Sequence, residues 1–188
     1  MQPAEIGKKY DKLASWWNEY HTDSNYGIAA LNKALQFMQT GGQALDIGCG
    51  SGGRMVQVLD EHGFTVTGID VSAEMIRIAK SNHIDHIFML ADICEFDSSH
   101  SFDFILAWDS IFHLPIERHQ MVLAKMCKML SPNGVMLYTL GNAVGSTESI
   151  WRDDIFSYSS IGAADNLRVL IDNYVNPIHL ELDQYPEN

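Results

Sequence analysis

Leu45-Asp46-Ile47-Gly48-Cys49-Gly50-Ser51-Gly52-Gly53 is the stretch whose reading decides the fold. The apolar run Ala44–Ile47 before the glycines reads as a short buried strand, and Met55, Val56 and Leu59 after them recur at helical spacing. Strand, glycine turn and helix therefore follow without a linker. Glycines in such a turn let the chain reverse tightly and let a ligand approach the backbone closely. The helix start behind them presents free N–H groups to a carboxylate or a phosphate.

Downstream the alternation continues. Phe64–Ile69 reads as a second strand ending at Asp70, and Ser72 suits the N-cap of a helix carrying Met75, Ile76 and Ala79. A third strand at about His86–Leu90 precedes Asp92, and a fourth, Phe102–Ala107, precedes Trp108-Asp109. Pro115 opens a helix with Val122, Met126 and Met129 on one side. Ser131-Pro132-Asn133-Gly134 has turn composition, and Val135–Leu140 is a fifth strand. A loop over Gly141–Ser160, a helix at about Ala163–Asn173 and a strand at about Val175–Asp183 complete the chain.

Upstream, residues 3–20 read as a helix carrying Tyr10, Trp16, Trp17 and Tyr20. Ile28, Leu31, Leu35 and Met38 mark another that ends at Gly41-Gly42. The pattern predicts an α/β three-layer sandwich with a mostly parallel, doubly wound sheet. It predicts a single domain over residues 1–188, with 1–40 as a helical cap and 43–188 as the core. In such sheets ligands sit at the carboxyl ends of the strands. Asp46, Asp70, Asp92 and Asp109 lie at or beside those ends.

Composition narrows the function classes. The chain has 188 residues and a net charge of −12. The small basic group Lys8, Lys9 and Lys12 is diluted by Glu5 and Asp11, so no nucleic-acid partner is expected. No apolar run approaches the roughly 20 residues of a membrane span, and no secretory leader is read at Met1–Glu5. Cys49, Cys94 and Cys127 form neither a disulfide framework nor a CxxC pair, which suits a cytoplasmic setting. His83-x-x-His86 straddles a loop and a strand with no acid to complete a set, so no metal is expected.

The glycine turn admits two readings. Gly48, Gly50 and Gly53 satisfy the GxGxxG of NAD-binding proteins, and Asp70 would then hold ribose. Gly48, Gly50 and Gly52, preceded by Asp46, satisfy DxGxGxG. With Asp46, with the acid Asp92 in Leu90-Ala91-Asp92-Ile93, and with Leu130-Ser131-Pro132-Asn133-Gly134-Val135, the chain resembles the small class I methyltransferases that use S-adenosylmethionine (SAM). The likeness covers nearly the whole sequence. It implies SAM as cofactor, S-adenosylhomocysteine (SAH) as product and a small molecule as methyl acceptor. A SAM-binding protein without catalysis is the alternative, followed by an NAD-dependent oxidoreductase.

The resemblance also implies roles. Gly48, Cys49, Gly50, Ser51 and Gly52 would pack against the methionine part and Asp46 would face its ammonium. Asp70 would hold ribose. Val71 and Ile93 would sandwich adenine, with Met75 and Ala91 nearby, and Asp92 would accept the adenine amino hydrogens. Tyr10 and Trp17 would close over the cofactor, and Trp108 and Asp109 would lie against it.

Methyl transfer from a sulfonium needs chiefly alignment, plus a base where the acceptor must lose a proton. His113 is the candidate base and Asp109 the candidate orienting acid. Tyr26, His113, Trp151 and Tyr158 are candidates for the acceptor pocket. No Asn-Pro-Pro-Tyr type motif follows the fourth strand, so nothing points to bases or glutamine as acceptors. Such proteins usually add a final antiparallel strand. Here Pro186-Glu187-Asn188 resembles the turn into it, so that strand is expected to be missing and a homodimer is left open.

Overall fold

The computed structural model describes residues 1–21, 23–39 and 41–181. Two helices come first, α1 (Pro3–His21) and α2 (Ile28–Leu35). Then follow β1 (Gly42–Ile47), α3 (Arg54–Glu61), β2 (Phe64–Asp70), α4 (Ala73–Asn82), β3 (Ile87–Leu90) and β4 (Phe102–Ala107). Two short 3-10 turns at Ile111–His113 and Ile116–Arg118 lead into α5 (His119–Met129) and β5 (Leu130–Tyr138). The last elements are β6 (Val144–Trp151), β7 (Asp154–Ile161) and α6 (Gly162–Asp172).

β1 to β5 form one parallel sheet in the order β3-β2-β1-β4-β5, so the winding reverses between β1 and β4. A ligand crevice opens at that reversal, outside the carboxyl ends of the two strands. The strands alternate their side chains between the sheet's two faces. Ala44, Val66, Phe104 and Leu106 pack with Leu31 and Leu35 of α2, Val56 and Leu59 of α3, and Ile76 and Ala79 of α4. Leu45, Ile69, Ile105 and Ala107 pack on the opposite face with Val122, Leu123 and Met126 of α5 and Leu170 of α6. This is the expected sandwich.

The expected turn at Ser131–Gly134 is present as an excursion within β5. Phe102 faces Leu130 and Phe104 faces Val135, so the residues between them loop out, with Asn133 at φ +63°.

The segment read as a loop over Gly141–Ser160 is a correction. It holds an antiparallel hairpin, with Val144 facing Ile161 and Trp151 facing Asp154. Its two-residue turn is Arg152-Asp153, both left-handed at φ +46° and +62°. That is the turn geometry matching strand twist, built without the glycine or asparagine that usually signals it.

The strand expected over 175–183 is also corrected: its described part is not strand. Pro177 removes a ladder donor. Residues 176–181 are exposed, and Lys33 of α2 binds Glu181 at 2.7 Å. Leu182, Asp183 and Pro186–Asn188 lie outside the described residues. The described sheet has no antiparallel strand; the antiparallel pair forms its own sheet between β5 and α6.

α1 lies across the amino end of α4. Gly7 presses so close to Val71 that a Cβ there would lie 2.1 Å from its carbonyl oxygen. The Asp11 carboxylate accepts from Ser72 Oγ at 2.6 Å and from Glu74 N at 3.0 Å. On its other flank α1 holds the hairpin: Lys9 and Lys12 both pair with Asp154, and the Arg152 guanidinium lies 3.4 Å over the Trp16 ring. These contacts offset the left-handed turn at Arg152-Asp153.

Candidate active site

The crevice at the β1/β4 reversal is a cleft of about 620 Å³, walled by α1, the strand ends and the hairpin. That is ordinary for a small-molecule site. Its floor is the glycine turn. Gly48 N and Cys49 N donate to Ile69 O at 2.8 and 3.1 Å, which fixes the turn against β2. Gly48 has φ +74°, and a Cβ on it would stand 2.3 Å from Ser110 Cβ, so only glycine fits beside the segment after β4. Trp17 of α1 stands over Gly50, with Nε1 3.3 Å from where its Cβ would be.

The acids stand in a row on this floor. Asp70 Oδ2 accepts from Gly50 N at 2.9 Å and Oδ1 from Ser72 N at 2.8 Å. Each oxygen keeps a further lone pair for a ligand. Asp92 Oδ1 accepts from Cys94 N at 2.8 Å. Asp46 is 4% exposed, lines the cleft, and its carboxylate accepts no hydrogen bond among the described residues. Burial, reinforced by repulsion from Asp70 and opposed by Arg54, raises its pKa to about 7. A buried acid without a donor suits a cationic ligand.

On the opposite wall, His113 Nδ1 lies 2.8 Å from Ser157 O and Nε2 lies 2.9 Å from the Tyr10 hydroxyl. A carbonyl only accepts, so Nδ1 carries the proton and Nε2 accepts from Tyr10 Oη. Burial lowers the His113 pKa against the opposing pull of the Ser157 carbonyl. Asp109 has φ +48°, held by its N–H donating to Thr139 Oγ1 at 2.9 Å. Trp108 Nε1 is buried without a hydrogen-bond partner among the described residues, and Tyr26 meets the Trp108 ring edge-on at 5.7 Å.

Residues 44–134 match the family model of the methyltransferase domain. The chain is 30% identical over 142 residues to phosphoethanolamine N-methyltransferase of Plasmodium falciparum. That match covers 72% of this chain and 52% of the Plasmodium protein, so the chain spans about half of that relative's length. Among solved structures it superposes on 1,6-didemethyltoxoflavin-N1-methyltransferase of Burkholderia thailandensis with a TM-score of 0.72 at 18% identity, covering 95% of this chain and 82% of that one. It also superposes on the [4+2]-cyclase SpnF with a TM-score of 0.67 at 17% identity, covering 92% and 73%. The last case shows that this fold alone does not fix the reaction.

Nearly all the candidate residues read from the sequence line one cleft. Tyr10, Trp17, Asp46, Gly48, Cys49, Gly50, Ser51, Asp70, Val71 and Met75 do so from α1, the glycine turn and β2–α4. Ala91, Asp92, Ile93, Trp108, Asp109 and His113 follow from β3 and β4, with Tyr26, Trp151 and Tyr158 on the remaining walls. Gly52 is the exception and is corrected. It is buried against α4, where a Cβ would lie 3.1 Å from Ala79 Cβ, and it does not line the cleft.

The cleft also holds residues that sequence reasoning missed, chiefly Arg54 and His21. Arg54 Nε donates to Tyr26 O at 2.6 Å and Nη1 to His21 Nδ1 at 3.0 Å. Burial lowers the Arg54 pKa, opposed by Asp109, Tyr26 and Asp46. Burial, aided by Arg54, lowers that of His21 to about 4, so His21 is a neutral acceptor at pH 7. A basic residue right after the glycines was the available signal.

The Asp46 carboxyl yields a stability prediction. Its pKa of about 7 in the fold stands against 3.8 for an ordinary aspartate. The fold therefore binds the proton more tightly than the unfolded chain does. That contribution is complete below pH ~4 and is lost as pH rises to about 7. Between pH 5 and 8 the ligand-free protein is expected to lose about 3 kcal/mol through this group. Asp46→Asn should abolish that loss, read as thermal melting at the two pH values. An unchanged pH slope in the variant would refute the assignment.

Proposed function

We propose that the chain transfers the methyl group of SAM to a small-molecule acceptor and releases SAH. One observation carries the reading: the Asp46 carboxylate, which accepts no hydrogen bond among the described residues, lies beside the glycine turn, in line with Asp70 and Asp92 across the strand ends. An ammonium, a ribose and an adenine amino group ask for those acids in that order. Bound SAM supplies a methyl group on an already activated sulfur leaving group.

The chain's own residues do the rest. The backbone of Gly48–Ser51 and the start of α3 face the methionine part, Asp46 its ammonium and Asp70 the ribose hydroxyls. Val71, Met75, Ala91 and Ile93 flank the adenine ring and Asp92 accepts its amino hydrogens. Tyr10 and Trp17 cover the cofactor, and Trp108 and Asp109 adjoin its methyl end. Tyr26, Trp151 and Tyr158 enclose the acceptor.

The Tyr10–His113 pair takes the acceptor's proton. The phenol oxygen receives it as the phenolic proton passes to His113 Nε2, and Nδ1–H stays on Ser157 O. This reading favours an acceptor whose nucleophilic atom carries a proton at neutral pH. We take residues 1–188 as one domain with residues 1–40 as its cap. The free cysteines support a reducing, cytoplasmic setting. No helix of the described residues is long and apolar enough to cross a membrane.

Calorimetry with SAM, SAH and NAD tests the cofactor, and SAH release against a panel of amines and hydroxyl compounds tests catalysis. Micromolar binding of SAM and SAH, none of NAD, and acceptor-dependent SAH release are expected. SAM binding with no turnover on any acceptor would favour the non-catalytic reading. NAD binding in preference to SAM would remove the proposal.

A further inference from the structure

Lys125 projects from α5 and belongs to no part of the cleft wall. Its Nζ nevertheless lies 3.1 Å from Ile93 O, 2.7 Å from Cys94 O and 2.9 Å from Phe96 O. A lysine ammonium has three hydrogens, and here each has a carbonyl. The carbonyls all belong to the single turn that follows β3.

That turn opens on Asp92. Cys94 N donates to Asp92 Oδ1 at 2.8 Å, while Glu95 N and Phe96 N donate to Asp92 O at 3.0 and 2.7 Å. The turn is thus capped from its amino side by Asp92 and from its carboxyl side by Lys125. A one-turn segment has no cooperative reserve of its own. Its carbonyls would otherwise face the sheet and α5 without donors. Ala91, Asp92 and Ile93 line the cleft, and Cys94 ties the Asp92 carboxylate to the turn through its N–H on Oδ1.

We propose that Lys125 is a positioning residue for adenine selectivity: by clamping the carbonyls of Ile93, Cys94 and Phe96 it fixes the direction in which Asp92 presents its carboxylate to the cleft. This rests on the placement of adenine against Asp92 proposed above. Lys125 touches neither cofactor nor acceptor, so it acts only through the turn. α5 gives it a rigid mount, since Val122, Leu123 and Met126 of the same helix are buried in the core. The cofactor's base is thereby held from outside the cleft, across the layer of the sandwich that carries no other cofactor residue.

The test is the binding of SAH and of its deaminated counterpart, S-inosylhomocysteine, to the full chain and to Lys125→Met. The counterpart places a carbonyl oxygen where adenine has its amino group, so a correctly aimed Asp92 discriminates against it. The wild type is expected to bind SAH at least about tenfold more tightly than the inosyl compound. Lys125→Met should weaken SAH by about tenfold and bring the two ligands to within about threefold of each other.

A variant that weakens both ligands equally, with the ratio intact, would mean that Lys125 only supports the fold, and the inference would be overturned. An unchanged affinity and ratio would overturn it as well. A wild type that binds neither ligand would remove the cofactor reading itself, a result distinct from either. Should Lys125→Met fail to fold, Lys125→Gln keeps two N–H donors on a shorter stem. A reduced ratio there supports the role, and the wild-type ratio refutes it.

Discussion

His113→Ala is expected to lower kcat by roughly 10²–10⁴-fold while SAM affinity stays within about threefold. In the proposed reaction the imidazole is the base. Its Nδ1 proton is fixed on Ser157 O and its Nε2 lone pair points at the Tyr10 hydroxyl. Burial lowers its pKa, so the neutral form dominates at pH 7. The acid limb of the wild-type rate profile should accordingly lie below pH ~6.5, the ordinary histidine value. Tyr10→Phe should fall with it, and the double variant should be hardly worse than either single one, because the two residues pass one proton. Steady-state SAH release with a working acceptor reads all of this. A His113→Ala enzyme with wild-type kcat would leave the proton transfer without a base on this wall.

The other large effect is on binding. Asp70→Ala should weaken SAM by about a hundredfold or more. The carboxylate makes two charge-assisted bonds that shape the floor, to Gly50 N and Ser72 N, and in the proposed complex receives the ribose as well. Burial raises the Asp70 pKa, and those N–H groups hold it back. Asp70→Asn keeps a single acceptor oxygen and should fall between the wild type and the alanine variant. Calorimetry separates the cases. An alanine variant that binds SAM as well as the wild type would exclude Asp70 from the ribose site.

Much of this was legible before any coordinates. The sandwich follows from strand-like runs alternating with helical periodicity, and the acids at strand ends follow from position alone. Four parts were not legible, each for a different reason. The hairpin hid because Arg152-Asp153 takes left-handed angles without a glycine; what holds it is α1, through Lys9, Lys12 and Trp16, far away in sequence. The Tyr10–His113 bond joins residues 103 apart, so both types were nameable but their pairing was not. Gly52 was misplaced because a glycine pattern does not say which side of the turn faces the cleft. Arg54 escaped because its partners, His21 and Tyr26, lie 33 and 28 residues earlier with no pattern joining them.

The grip of α1 on Asp154 spans 145 residues, nearly the whole chain. During synthesis the first helix has no hairpin to hold until that residue has left the ribosome, long after the glycine turn and its acids have emerged. At 5–20 residues per second the interval is seconds, ample for strands and helices that close in microseconds to milliseconds. A nascent chain therefore carries a sheet whose ligand shelf is open to solvent before its last wall is made. In the finished chain the same opening is recreated only by loosening Lys9 and Lys12 from Asp154.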